Sequence, residues 1–184
     1  MRIEKDFLII GSGVAGLTFA LKVADFGSVA IITKDELEES ATKYAQGGIA
    51  SVMTDDDSCD LHATDTLEAG RGICKEDVVR IICREGPTRV RELINLGAQF
   101  TRTAEKDYHL SREGGHSKHR ILHANDLTGW EIERTLIEAV KSKKNIEIFS
   151  YHMVIDLISR ARLDRSVSLG GSEDELVGMY VLDA

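Results

Sequence analysis

Phe7-Leu-Ile-Ile-Gly-Ser-Gly-Val-Ala-Gly16 decides the fold. Four consecutive apolar residues follow Asp6 and run into glycine, which suits a short strand buried on both faces. Gly11, Ser12, Gly13, Val14, Ala15 and Gly16 then fit the GxGxxG spacing, placed between a strand and a helix where that motif carries meaning. Gly11 permits the tight turn. Gly13 lets backbone approach a pyrophosphate, and Gly16 lets helix and strand pack closely. From Val14 to Phe26 the apolar residues Leu17, Ala20, Leu21 and Ala24 make one helical stripe. Gly27 is expected to end that helix in the left-handed conformation. Ser28 to Thr33 reads as a second strand. The first 33 residues therefore predict a βαβ unit with a right-handed crossover.

A dinucleotide turn usually has an acidic residue at the end of its second strand, where it binds a ribose. Thr33-Lys34 stands there, with Asp35 next. The missing ribose contact weakens a nicotinamide reading. Lys34 either contacts ribose or phosphate itself or is a solvated strand end.

Composition narrows the classes. The chain has 184 residues, 42% hydrophobic and 29% charged, enough for one domain with a sizeable core. Its formal charge of −8 offers no basic stripe for nucleic acid. No apolar run is long enough to span a bilayer. Met1 to Lys5 is charged and leads straight into a strand, unlike a signal peptide. Cys59, Cys74 and Cys83 are odd in number and lack CxxC spacing, so they read as reduced thiols in a cytoplasmic protein.

Farther along, residues 55–70 hold acids followed by a helical pattern. Lys75 to Glu85 and Pro87 to Leu96 read as two amphipathic helices separated at Gly86-Pro87, the second ended by Gly97. Thr128 to Lys144 is predicted as a helix with a capping box from Thr128 and Glu131. Ile146 to Phe149 is a strand. Met153 to Ser159 and Leu176 to Leu182 are two more, antiparallel, joined by a polar surface loop containing Gly170-Gly171. A doubly wound sheet needs further strands, so the chain reads as part of a longer protein.

Two loops carry the chemistry. Ser40 to Ala50 includes Ala41, Thr42, Lys43, Tyr44, Ala45, Gln46, Gly47 and Gly48, whose glycine pair offers close approach to a flat ligand or a pyrophosphate. Ser111 to Gly129 packs paired glycines, three histidines, two arginines, Glu113 and Asp126 between regular segments. His109, His116, His119 and His123 lack the cysteine or carboxylate companions of a zinc site, so no metal is expected. Glu113 either meets a ligand cation or pairs with Arg112. Asp126 is read as positioning loop backbone.

These motifs together resemble the flavoprotein family of succinate dehydrogenase, fumarate reductase and L-aspartate oxidase. The glycine turn, Lys34 and the segment Ala45-Gln-Gly-Gly-Ile-Ala50 carry the family resemblance. Asp65-Thr-Leu-Glu-Ala-Gly70, Ser111-Arg-Glu-Gly-Gly-His-Ser117, Arg120-Ile-Leu-His-Ala124 and Asp126-Leu-Thr-Gly129 look like the L-aspartate oxidase branch. The resemblance spans essentially all 184 residues.

It implies a Rossmann-like α/β FAD-binding domain: a parallel sheet with flanking helices and a small antiparallel β-meander, incomplete at the C-terminus. Residues 1–184 would be the N-terminal part of that domain, without the capping and C-terminal helical domains. FAD would lie along residues 11–16, with Lys34 at the adenosine ribose region and Ala41 to Gly48 around the flavin end. Met153 and Val154 would meet adenine. Ala41 stands where membrane-bound relatives carry a flavin-linking histidine, so attachment should be non-covalent. Glu113 would orient the α-ammonium of L-aspartate, with no catalytic residue in this chain and a base arginine farther downstream. The implied reaction is oxidation of L-aspartate to iminoaspartate with oxygen or fumarate as acceptor. That is the first step of NAD biosynthesis, with quinolinate synthase next. The 184 residues alone should not turn over. A dicarboxylate dehydrogenase and a non-catalytic flavin-binding module are the alternatives.

Overall fold

The computed structural model describes residues 1–164, 171 and 174–183. In chain order its elements are β1 (Phe7–Ile10), α1 (Val14–Val23), β2 (Val29–Ile32), β3 (Ile49–Ala50), α2 (Cys59–Ala69), α3 (Glu76–Asn95), β4 (Leu110–Ser111), β5 (Ile121–Leu122), α4 (Thr128–Lys141), β6 (Ile146–Phe149), β7 (His152–Ser159), α5 (Arg160–Leu163) and β8 (Leu176–Asp183). They fall into two compact units, Met1–Ala41 with Ile137–Ala184, and Thr42–Leu136.

The first unit is built on a parallel sheet in the order β1-β2-β6. Phe7 pairs with Val29, and Val29 with Ile146. All four residues of β2 are buried, as a central parallel strand requires. Leu17 and Ala20 of α1 are buried and face this core. β7 and β8 form a separate antiparallel pair with register shifts between Val154 and Asp156 and between Ile158 and Ser159. The expected surface loop after β7 begins instead with α5, and its residues 165–170, Gly170 among them, lie outside the described residues.

The second unit combines the helices α2 and α3 with a three-stranded antiparallel patch in the order β3-β5-β4. Val90, Ala98, Phe100 and Leu122 form one cluster of its core; Ala63, Val79 and Cys83 form another. These two-residue strands have no periodicity to read, and sequence patterning did not foresee them.

Four sequence expectations are corrected. Gly27 does not adopt a left-handed conformation. It is small because a Cβ there would lie 2.7 Å from the Asp6 carboxylate, which accepts hydrogen bonds from the Ser28 N–H and hydroxyl. The first helix also stops at Val23, three residues early. The two helices around Gly86-Pro87 are one, α3, with Pro87 inside it. Proline in a helix interior costs about 3 kcal/mol, but Val79, Cys83 and Val90 are buried along a single stripe on both sides of it. Interrupting the helix would expose part of that stripe. The capping box at the start of α4 does not form. Thr128 accepts from the Ala124 N–H, while the Glu131 carboxylate accepts from the Gln99 N–H at 2.6 Å and from Arg134 at 2.7 Å. Glu131 thus ties α4 to the chain leaving α3.

Among the described residues no helix is long and apolar enough to cross a membrane.

Leu17 is fully buried whereas Phe26 is 81% exposed. Leu17→Ala should lower the free energy of unfolding by about 2–5 kcal/mol. Phe26→Ala should change it by less than about 0.5 kcal/mol. Urea denaturation of the chain measures both.

Candidate functional site

In the first unit the glycine turn has the geometry its spacing predicts. Gly11 sits at φ +94°, with nothing within 4 Å of where a Cβ would project. Its N–H donates to the Ile32 carbonyl at 2.8 Å, tying the turn to β2. Gly13 is the N-cap of α1 and, having no side chain, makes no cap bond of its own. The first turn of α1 carries no acidic residue, so nothing there repels an anion drawn to the positive end of the helix dipole. A Cβ on Gly16 would lie 2.2 Å from the Gly11 carbonyl oxygen. The third glycine therefore lets α1 rest directly on the turn. A glycine-lined backbone cradle at a helix start fits the pyrophosphate of a dinucleotide.

The rest of the strand end explains the absent acid. Ser12 and Thr33 are both buried, and the Ser12 hydroxyl donates to Thr33 Oγ1 at 3.3 Å. Ser12 thus offers a ligand its backbone, with its side chain spent on β2. Lys34 follows and is exposed. Thr33 accepts from the His152 N–H at 2.9 Å, which brings the start of β7, with Met153 and Val154, beside the C-terminal end of β2. Gly11 to Gly16, Lys34, Ala41, Met153 and Val154 all belong to this unit.

Thr42 to Gly48 belong to the second unit. Ala45, Gln46 and Gly47 are exposed, and nothing lies within 4 Å of a Cβ at Gly47. Lys43 stacks on the Tyr44 ring with its ammonium 5.5 Å from the centroid. At Gly48 a Cβ would meet Ile121 Cγ2 at 2.3 Å and the Leu122 carbonyl oxygen at 2.4 Å. Its smallness lets β3 close on β5. Gly129 is the residue sequence reasoning passed over. A Cβ there would lie 1.9 Å from the Thr42 carbonyl oxygen, and its N–H donates to the Ala45 carbonyl at 2.9 Å. The start of α4 seats the 42–45 loop.

The polar loop is organised by a buried cation. Arg120 has no exposed surface. Its Nε and Nη2 donate to the two oxygens of Asp57 at 2.7 and 2.8 Å, and its Nη1 donates to Asp65 at 2.6 Å. The same Asp65 oxygen accepts from the N–H and the hydroxyl of Ser117, each at 2.8 Å. Burial alone would raise the Asp65 pKa; the Ser117 and Arg120 donors outweigh it and hold the carboxyl below the usual range. Removing one partner from such a group leaves a buried charge unpaired, a loss of about 3–5 kcal/mol. Asp65 and Arg120 stand in the quoted motifs without a role, and Asp57 is only one of the unassigned acids of residues 55–70. Nothing in their local pattern signals that they meet.

Glu113 is exposed, and among the described residues it forms no ion pair with Arg112. Its carbonyl accepts from the His116 N–H at 3.2 Å. His109 and His123 share a hydrogen bond at 2.7 Å, and His119 meets the Leu110 carbonyl. Among the described residues no three such side chains converge as metal ligands. Cys59, Cys74 and Cys83 are free thiols.

The profile of the FAD binding domain family matches residues 6–183. The chain belongs to that family. Its similarity to curated proteins is high: 54% identity over 154 residues to a chloroplastic L-aspartate oxidase of Arabidopsis thaliana, covering 84% of this chain and 24% of that protein. It is 43% identical over 181 residues to the L-aspartate oxidase of Vibrio cholerae, covering 96% and 33%. Among solved structures, a mutant of E. coli quinol fumarate reductase FrdA superimposes with a TM-score of 0.81 at 31% identity, over 86% of this chain and 28% of that one. A quinol-fumarate reductase with menaquinol molecules gives 0.85 at 29% identity, over 100% and 30%. The chain spans about a quarter to a third of the length of the curated relatives it matches. FAD is the cofactor of this family, and the open glycine turn on α1 fits its pyrophosphate.

Two outcomes follow for this FAD binding domain. Gly16→Ala should destabilise the first unit by about 1–3 kcal/mol through its clash with Gly11, whereas Gly47→Ala, with open space around it, should change unfolding by less than about 0.5 kcal/mol. The second outcome concerns pH. Burial pushes the His62 imidazole below the usual histidine range, with Arg120 and His116 adding to the effect, and its buried Nδ1 has no hydrogen-bond partner among the described residues. As pH falls through 6.5 the unfolded chain takes up a proton at His62 before the folded unit does, so stability falls. The loss steepens below about pH 4, where the carboxylates held low in the fold, Asp65 and Glu131, begin to protonate in the unfolded chain first. Thermal unfolding between pH 7 and 5 should show a decline that His62→Gln flattens.

Proposed function

We propose that this chain is the FAD-binding part of an L-aspartate oxidase, the enzyme that converts L-aspartate to iminoaspartate at the entry to NAD biosynthesis. The identity of 40–54% to proteins of that name, along 84–98% of the chain, carries the reading. Bound FAD would supply the redox chemistry of the oxidation at the substrate α-carbon, with oxygen or fumarate as the final acceptor. The chain's residues bind and orient. Gly11, Ser12, Gly13, Val14, Ala15 and Gly16 hold the pyrophosphate through backbone; Lys34 serves the adenosine ribose region, and Met153 and Val154 serve adenine. Ala41, at the end of the first unit's leading segment, and Thr42 to Gly48, in the second unit, serve the flavin end. Ala41 carries no imidazole, so the cofactor is held without a covalent bond.

Glu113 is the residue that selects the amine. A substrate that adds an ammonium to a four-carbon dicarboxylate calls for an added anion. Glu113 is exposed and unspent on Arg112, as that role requires. The base arginine and the remaining carboxylate-binding groups lie outside these residues, in the capping and helical domains, so the 184 residues alone do not turn over. Iminoaspartate then passes to quinolinate synthase. The free thiols support a reducing, cytoplasmic setting.

A soluble fumarate reductase is the second reading, favoured by the TM-scores of 0.81 and 0.85 to quinol fumarate reductases. Anaerobic flavin bleaching separates the two in the protein produced from its own gene. Bleaching by L-aspartate and not by succinate is expected. Bleaching by succinate alone favours the dicarboxylate enzyme, and bleaching by neither favours a binding module. Glu113→Gln should raise the KM for L-aspartate by about tenfold or more and leave succinate inhibition within about twofold.

A further inference from the structure

Glu113 lies in a short excursion whose two ends are fixed very differently. Before it, β4 (Leu110–Ser111) pairs with β5. After it, Ser117 is bound through both its N–H and its hydroxyl to a single oxygen of Asp65, each at 2.8 Å. Between these ends, residues 112–116 carry one backbone bond, His116 N–H to the Glu113 carbonyl at 3.2 Å, and a turn at Gly115, φ +84°, whose Cβ position lies 3.3 Å from Ala69; the His116 ring has Nδ1 3.4 Å from Arg120 Nη1 and its centroid 5.6 Å from that of His62. Asp65 projects from α2, 52 residues away in sequence from Ser117. Arg120 donates to it at 2.6 Å and is itself oriented by a two-pronged bond to Asp57. The side chains of Asp57, Asp65 and Arg120 are 1%, 9% and 0% exposed.

Replacing a buried ion network of this kind by apolar side chains of similar volume is often neutral or stabilising. Stability alone is therefore a weak reason for burying three charges here. Geometry is a better one. A planar guanidinium locked to one carboxylate presents its remaining N–H in a set direction, and so fixes the second carboxylate. That carboxylate then has one place at which it can receive Ser117, four residues beyond Glu113.

We propose that Asp65, aligned by Arg120 and Asp57, is the positioning residue for Glu113: it anchors the 112–117 loop so that the Glu113 carboxylate stands where a substrate ammonium arrives. This rests on the L-aspartate reading above. It assigns amine selectivity to a clamp that makes no contact with the substrate itself.

Two readouts test it. The first needs neither flavin nor turnover. Asp65→Asn in the chain should speed amide hydrogen exchange across residues 112–119 by at least about tenfold, with exchange in β1 and β2 unchanged. Unchanged exchange in the loop overturns the proposal whatever the substrate is. The second uses the flavin-loaded protein produced from its own gene. Ser117→Ala should raise the KM for L-aspartate about tenfold, with kcat altered less than about threefold and succinate inhibition within about twofold. Ser117→Thr, which restores the hydroxyl, should recover the KM. An equal weakening of L-aspartate and succinate would mark a general structural loss and overturn the proposal. Glu113→Gln run in parallel distinguishes the two failures. If it raises the KM and Ser117→Ala does not, the clamp fails and the substrate reading stands. If it leaves the KM unchanged, Glu113 does not meet the amine, and both fall.

Discussion

The second unit depends on one buried guanidinium. Arg120 stands just before β5, and its backbone carbonyl accepts from the Ser51 N–H while its side chain reaches Asp57 and Asp65. Through it the segment after β3, the helix α2 and the loop before β5 become one piece. A full charge without solvent is tolerable only when every donor is met. That requirement makes the network nearly all-or-none and gives short, irregular segments a definite arrangement. Two-residue strands could not supply this by themselves.

The first unit rests on a steric constraint of a different kind. Helix α1 can lie against β1 only because Gly16 has no side chain to meet Gly11. The same turn leaves Gly11 facing open space. Packing and ligand chemistry are thus served by one arrangement. A glycine turn that brings helix and strand together also exposes the backbone that a pyrophosphate uses. Ser12 supports the turn from beneath, through Thr33, at the position where other dinucleotide folds spend an acid.

Local pattern made much of this visible. The β1-α1-β2 order, a strand at Ile146 and the antiparallel pair β7-β8 follow from runs, stripes and glycine positions; the place of the Ile146 strand, parallel beside β2, does not. The loop at 111–129 stood out as a candidate because a hydrophobic core has no use for such polar density, and the loop at 41–48 because of its glycine pair. What misled was local too. Gly86-Pro87 reads as a break, and Thr128 with Glu131 reads as a capping box. Each reading is sound for an isolated segment, and each lost to a partner distant in sequence: the continuous buried stripe of α3, and the Gln99 N–H that claimed Glu131.

Spacing and periodicity, taken alone, determined the α/β class and the dinucleotide turn, because those features are carried by residues within about ten positions of each other and obey helix and strand periods; the family followed from the resemblance of the motifs. Tertiary structure alone decided which glycines serve the fold and which face open space. Gly48 and Gly129 are filled against by backbone, while Gly11 and Gly47 are not. It alone joined Asp57, Asp65, Ser117 and Arg120 into one clamp. The physical reason is the same in both cases. A missing Cβ and a buried charge matter only through the atoms that surround them, and those atoms come from parts of the chain that no local pattern connects.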